Sequence, residues 1–293
     1  MAVKCASGEE YASTRVHIDA FSLKDVKEAL ASLKPKRSAG PDGIPAFLFR
    51  DCSGILAKPL QYIFNTCMRL ETFPAQWKVT RVIPVPKGKV KSDISGYRPV
   101  AVLSTPAKVF EAAIYRAMQK QISSLISDAQ HGFWPGRSTT TNLLNFMSNV
   151  VPAVDSGHQV DVAYFDFRKA FDTVDNDILL NKLALLGCTP HLLKFFSSYL
   201  KDRQQYVDYK GCLSDSYYTL SGVSQGSNLG PLEFIIMIND LPQVIKHGVC
   251  LLFADDLKLL LEVRDKMDSE RLQQDIDSIV EWSHRNKLYF NVN

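Results

Sequence analysis

Residues 249–256 read Val-Cys-Leu-Leu-Phe-Ala-Asp-Asp, an apolar run that ends on two adjacent carboxylates. An apolar run of this length bounded by a turn signal is a buried strand. Charges at its tip must be hydrogen-bonded or metal-bound, because bare charge in an apolar setting is expensive. A second acidic position closes another strand pattern, Val160-Asp161-Val162-Ala163-Tyr164-Phe165-Asp166. Strand alternation sends Val160, Val162, Tyr164 and Asp166 to one side and Ala163, Phe165 and Phe167 to the other. If the two strands are neighbours, Asp166 and Asp255 can hold divalent metal together, which suits phosphoryl transfer to a nucleotide. Adjacent residues face opposite ways, so Asp255 is expected to join Asp166, while Asp256 binds metal weakly or anchors the turn.

Like charges this close raise each other's proton affinity, and a bound Mg²⁺ removes that cost. Two ions about 3.5–4 Å apart would lower the pKa of an attacking 3′-hydroxyl and stabilise the leaving oxygen. Mg²⁺ needs only one or two protein carboxylates when phosphate oxygens and waters complete its shell.

Around these strands the chain alternates helical and extended patterns. Ser22 caps a helix, with Asp25 three residues on, and Leu23, Val26, Leu30 and Leu33 line one face. Turn residues 38–43 end it. Further helices are expected over about 53–70, 105–126, 139–154, 178–186, 192–200 and 231–241, and over the segment carrying Leu272, Ile276, Ile279 and Val280. Strands are expected at 79–85, 206–209, 216–220 and 249–263, with Leu288, Phe290 and Val292 alternating as a last strand. Residues 1–20 are weakly patterned and expected to be loose. Strands alternating with helices give a sheet with helices on one face.

At 293 residues and 46% hydrophobic composition, the chain can bury a large core in one domain or two interleaved subdomains. A net charge of +3 permits a nucleic-acid partner without demonstrating one. The local bias is stronger: Lys78, Arg81, Lys87, Lys89 and Lys91 occur without an intervening acid. Six cysteines lack zinc-ligand spacing and read as reduced, mostly buried thiols of an intracellular protein. No signal peptide or membrane span is visible.

Two further segments point to a ligand. In Ser221-Gly222-Val223-Ser224-Gln225-Gly226-Ser227 the glycines leave backbone open to close approach, and Gln225 can both donate to and accept from a base or template backbone. Arg98, Arg81, Lys87 and Lys89 can supply the cationic donors a triphosphate needs; Arg137 could meet a template phosphate. Asp172 could cap a turn or pair with a lysine. The pair Phe133-Trp134 could stack on a base, although core packing explains it as well.

Read in order, these segments resemble the reverse transcriptases of non-LTR retrotransposons, LINE and jockey-like elements in particular. The resemblance runs from about residue 19 to the end. Segments 38–43, 77–87, 97–100 and 132–139 resemble the family's fingers motifs. Tyr164-Phe165-Asp166 through Asp172 is similar to motif A, Gly222 through Leu232 to motif B, and Phe253-Ala254-Asp255-Asp256 to motif C. The resemblance implies an α+β right-hand polymerase with fingers and palm, an antiparallel palm sheet backed by helices, and a thumb absent or truncated. Residues 21–158 would be fingers-like and 159–293 palm, with 181–215 a helical connection toward the fingers. Asp166, Asp255 and Asp256 would hold Mg²⁺ (or Mn²⁺), and Phe171 would exclude the ribose 2′-OH of the incoming dNTP. Arg98 would bind its phosphates, with Lys87 and Arg81 near, and Gln225 would sit by the template or nucleotide.

The implied reaction is RNA-templated DNA synthesis from a DNA primer, with the remaining polyprotein domains, such as endonuclease and thumb, as partners. The full element would act in the nucleus and cytoplasm. Three positions depart from the family pattern: Ser224 for proline, Trp134 for arginine and Glu233 for leucine. Glu233, if buried without a partner, would destabilise the palm. The competing readings are an inactive retroelement-derived fragment that keeps nucleic-acid or protein binding, and an RNA-dependent RNA polymerase, which Phe171 disfavours.

Overall fold

The computed structural model describes residues 15–88 and 94–291, so Lys89, Lys91 and Val292 lie outside it. In chain order the elements are α1 (Leu23–Ala31), α2 (Ala46–Asp51), α3 (Ser53–Arg69), β1 (Val79–Pro86), β2 (Tyr97–Val102), α4 (Thr105–Ile122), α5 (Thr139–Asp155), β3 (Gln159–Phe165), α6 (Asn176–Leu185), α7 (Pro190–Leu200), β4 (Gln204–Tyr209), β5 (Cys212–Leu213), β6 (Tyr217–Tyr218), α8 (Gly230–Ile238), β7 (Val249–Phe253), β8 (Asp256–Val263) and α9 (Lys266–Arg285). The helix starts are chemically marked. Ser22 Oγ accepts from Asp25 N–H while the Asp25 carboxylate accepts from Ser22 N–H, a complete capping box. Gly187, at φ 96°, ends the α6 segment in the left-handed region.

Two sheets organise the chain. The smaller is antiparallel in the order β3-β8-β7, with Phe165 opposite Leu257 and Phe253 opposite Asp256. The larger is mixed: β1 pairs antiparallel with β2 and parallel with β4, and β5 and β6 pair with β4. Strand β2 was not foreseen, because Pro99 within it reads as a breaker; it is tolerated on an edge strand.

The expectation of helices on one sheet face is corrected. Leu257 and Leu259 join the main core with Leu272, Ile279 and Trp282 of α9. Lys258 points the other way, and its ammonium lies 5.5 Å from the Phe146 ring of α5. Leu251 and Leu260 are buried on that second face. The small sheet therefore has helices on both sides, and the end carrying its acidic residues is open.

Three other expectations change. Residues 15–20 are not loose: Val16 bridges Cys188, and Val16 and Ile18 are buried in the core, because their apolar side chains fill space beside α6 and α7. The last strand reduces to one bridge, Phe290 to Phe167. Of the five described cysteines only Cys188 is buried, and all five are free.

The centre of the larger half is aromatic. Phe110 of α4 stacks on Phe64 at 4.5 Å and Phe73 at 5.8 Å, and meets Phe195 edge-on at 5.6 Å. These pairs add to the burial energy of large rings. Beneath them lies a polar cluster. Glu111, wholly buried, accepts from the Tyr199 hydroxyl (2.8 Å) and from Asn228 N–H (2.8 Å). The Arg203 guanidinium sits 4.8 Å from the Tyr199 ring, with one terminal nitrogen unbonded. Glu233 of α8 is buried with neither oxygen hydrogen-bonded, the situation its departure from the family pattern raised.

Burial, then the nearby Glu111 charge, push the Glu233 carboxyl up to about 8, against the opposing effect of Arg203. The unfolded side chain releases its proton near 4.5, so between 4.5 and 8 the folded state holds the extra proton and stability falls as pH rises. Glu233→Leu should raise stability at pH 8 by on the order of 3 kcal/mol and flatten the pH dependence across that window. Urea unfolding of both proteins at pH 5, 6.5 and 8 checks this; an unchanged slope in the variant counts against it.

Candidate active site

The register of the small sheet brings the acidic residues to one end. Phe165 pairs with Leu257, so Asp166 follows the strand end where Asp256 begins β8. Phe253 pairs with Asp256, leaving Ala254 and Asp255 as a two-residue hairpin turn. Asp166 and Asp256 are exposed and line one cleft of about 420 Å³ with Tyr164, Phe253, Asn142 and Lys258. Asp255 is half-buried, and its carboxyl is raised above the usual range by burial and by the charges of Asp256 and Asp166. Asp166 keeps one protein partner, the Asn291 side-chain amide, which donates to it at 3.3 Å.

A half-buried carboxyl whose proton affinity is raised by burial and by two neighbouring carboxylates fits a divalent cation, which would reverse the sign of the local field. Among the described residues, no three His, Cys, Asp or Glu side chains converge closely enough to cage a metal ion. The donor set is therefore an open one, of the kind Mg²⁺ completes with water and phosphate oxygens.

Beside the carboxylates, the turn after β3 and the loop before α8 are locked together. Val223 N–H donates to Phe171 O and Gly222 N–H to Val174 O, both at 2.8 Å. A Cβ on Gly222 would meet Asp172 O at 2.7 Å, and the residue holds φ 91°, so glycine is required twice over. The Gln225 side-chain amide donates to Asp172 Oδ1 (3.0 Å), while Gln225 O accepts from Ala101 N–H of β2 (2.8 Å). Asp172 is raised by burial and lowered by Gln225, Lys169 and Lys87, so its carboxylate faces Gln225 with two lysines in range. The Phe171 ring stacks on Phe234 at 4.6 Å and meets exposed Phe133 edge-on at 6.1 Å.

The basic residues separate into two groups. Lys87 acts on Asp172, and Arg98 is exposed on β2 opposite Val85. Arg81 donates to Ala39 O (2.8 Å) and lies 3.7 Å from Asp208, so it ties the 38–43 turn to β1 and β4, and its Nε is left without a hydrogen bond. Arg137 likewise donates to Ser127 O, Gln130 O and Asp128 within its own loop. Of the aromatic pair, Trp134 is buried in the core and Phe133 is exposed.

A family model described as reverse transcriptase (RNA-dependent DNA polymerase) matches residues 85–293, the stretch that carries the acidic strand ends and the Phe171–Gln225 junction. The chain belongs to that family. It is 31% identical over 284 residues to the probable RNA-directed DNA polymerase from transposon X-element of Drosophila melanogaster, covering 94% of this chain and 31% of that protein. It is 28% identical over 276 residues to the RNA-directed DNA polymerase from mobile element jockey of Drosophila funebris, covering 90% of this chain and 30% of the relative. The corresponding figures for the probable RNA-directed DNA polymerase from transposon BS of Drosophila melanogaster are 28% over 279 residues, 92% and 31%. The chain thus spans about a third of the length of the curated relatives it matches. No helix among the described residues is long and apolar enough to cross a membrane.

Sequence reasoning passed over Gln130, Asn291 and the Asp172–Gln225 link. Each is a polar side chain whose partner lies 50 or more residues away, and spacing carries no signal for such contacts. Gly132 enters the sequence reading only as the first residue of the 132–139 segment. A Cβ there would fall 2.2 Å from Ala254 N, a backbone atom of the acidic hairpin. Gly132→Ala should therefore lower stability by about 2 kcal/mol or more, since backbone must shift to admit it. Thermal unfolding measures it; a wild-type melting temperature would contradict the packing described.

Proposed function

We propose that this reverse transcriptase chain contributes the fingers and palm of an RNA-directed DNA polymerase, which adds dNTPs to a primer 3′-hydroxyl on an RNA template. The convergence of Asp166 with the Asp255-Asp256 turn carries this reading, supported by Phe171 and Gln225 held beside them. Residues 159–293 supply the palm and 21–158 the fingers-like part, with 181–215 as the connection. Mg²⁺, or Mn²⁺, would be held by Asp166, Asp255 and Asp256, of which Asp166 and Asp256 line the cleft. A cation there supplies an acidified primer hydroxyl and neutralises charge developing on the leaving phosphates.

The chain's own residues do the rest. Arg98 and Lys87 bind the triphosphate, a role for which arginine's planar fork and the lysine charge are suited. Phe171, fixed by Phe234, presents its ring edge where a ribose 2′-OH would fall. Asp172 orients the Gln225 amide toward the nascent pair. The template RNA and DNA primer, and the remaining polyprotein domains, are the partners this reading requires.

Incorporation of dNTPs on a primed RNA template, dependent on Mg²⁺, tests the assignment. Asp255→Asn should reduce the rate by at least about 10³-fold, several kcal/mol of transition-state stabilisation, with the fold intact by circular dichroism. A folded wild-type protein that binds primed template yet incorporates nothing with either metal favours the reading as an inactive fragment. Phe171→Val should raise rNTP use relative to dNTP by roughly 100-fold, read as a ratio of kcat/KM values. Equal use of rNTPs by the unaltered protein would speak for an RNA polymerase instead.

A further inference from the structure

The acidic hairpin turns through Ala254, whose φ is 54°. A residue with a Cβ pays roughly 1–2 kcal/mol to sit in the left-handed region, so the conformation persists only where surrounding structure imposes it. The imposing groups lie in the loop between α4 and α5. Ala129 O accepts from Leu252 N–H, and His131 N–H donates to Leu252 O, both at 2.8 Å, so this loop runs parallel to β7 as an added edge. Gln130 lies between them, 2% exposed. Its Oε1 accepts from Ala254 N–H (2.9 Å) and from Gly132 N–H (2.7 Å), and its Nε2 donates to Ala254 O (3.5 Å). One side-chain amide thus grips both polar groups of the residue immediately before Asp255.

Gln130 is itself braced. The Arg137 guanidinium donates to Gln130 O at 2.7 Å and to Ser127 O at 2.6 Å. Gly132 lets the two backbones close, since no Cβ fits between it and Ala254 N. Asn142 of α5 adds a bond to Leu252 O at 3.2 Å. No other side chain among the described residues bonds the Ala254 peptide groups.

We infer that Gln130 is a positioning residue for the metal-binding carboxylates: by clamping Ala254 it fixes the direction in which Asp255 leaves the turn relative to Asp166. This rests on the metal-site reading under Proposed function. Residues that orient a ligand without touching the metal typically change metal affinity or activity by about 10–100-fold, and a group misplaced by about 1 Å costs about as much.

The test is Mn²⁺ binding to the folded chain, read by electron paramagnetic resonance without substrate, alongside steady-state kinetics. Gln130→Met keeps the volume and removes the amide. It should weaken Mn²⁺ binding and lower kcat by about 10–100-fold, with KM for dNTP within about twofold, because the nucleotide contacts lie on other loops. Gln130→Glu keeps the acceptor for both N–H groups and should recover Mn²⁺ affinity to within about threefold. A folded Gln130→Met protein with wild-type Mn²⁺ affinity and kcat overturns the inference. Should that variant not fold, Gln130→Asn, which carries the amide one methylene short of Ala254, decides by the same two readouts. Asp255→Asn separates the two ideas. If it weakens Mn²⁺ binding and Gln130→Met does not, only the role of Gln130 fails; if neither does, the metal-site reading fails.

Discussion

Pairing of Phe165 with Leu257 and of Phe253 with Asp256 sets where every acidic group of the site stands. Side chains alternate along a strand with period two, so a slip of one residue would carry Asp166 away from the hairpin and turn Leu257 and Leu259 out of the core. Register here is specified from both faces. Leu257 and Leu259 pack toward α9, and Leu251 and Leu260 are buried on the side of α5. The sheet's acidic end stays accessible. There Asp255 is half-desolvated beside two like charges, an arrangement that a cation relieves.

The rest of the site is joined by backbone contacts too close for side chains. Gly222 lies against Asp172, Gly226 against Ala101 O and Gly132 against Ala254 N. Each joins segments far apart in the chain, and two are completed by a polar side chain, Gln225 with Asp172 and Gln130 with Ala254, while the Gln225 carbonyl accepts from Ala101 N–H at the third. Glu111 belongs to the same construction, since its carboxylate receives Asn228 N–H from the loop before α8. Glu233, one turn into that helix, has no such bond. It is a local conflict between side chain and surroundings, tolerated because a protonated carboxyl costs less than a charge.

Several features were legible from residues alone. The 3.6-residue stripes located α1, α4 and α9, because their apolar faces are buried in the main core. The two acidic strand ends were legible because carboxylates closing an apolar run have few physical explanations. What escaped was decided by contacts across the chain. Pro99 masked β2, since nothing local shows that its strand lies on an edge where a missing N–H is harmless. Arg81 and Arg137 looked like phosphate donors by charge and neighbourhood, yet their guanidiniums bond Ala39, Ser127 and Gln130 carbonyls, which composition cannot reveal.

By itself, then, the sequence determined the elements and the chemistry available at their ends: periodicity and turn residues act over a few positions, and so does the cost of burying a carboxylate. Tertiary structure alone decided which of those ends meet, which cations remain open to a ligand, and that a glutamine 125 residues before Asp255 holds its turn. The reason is physical. Hydrogen-bond partners and buried neighbours are set by three-dimensional packing, and a polar side chain carries the same local signature whether it faces solvent, a substrate or a strained backbone.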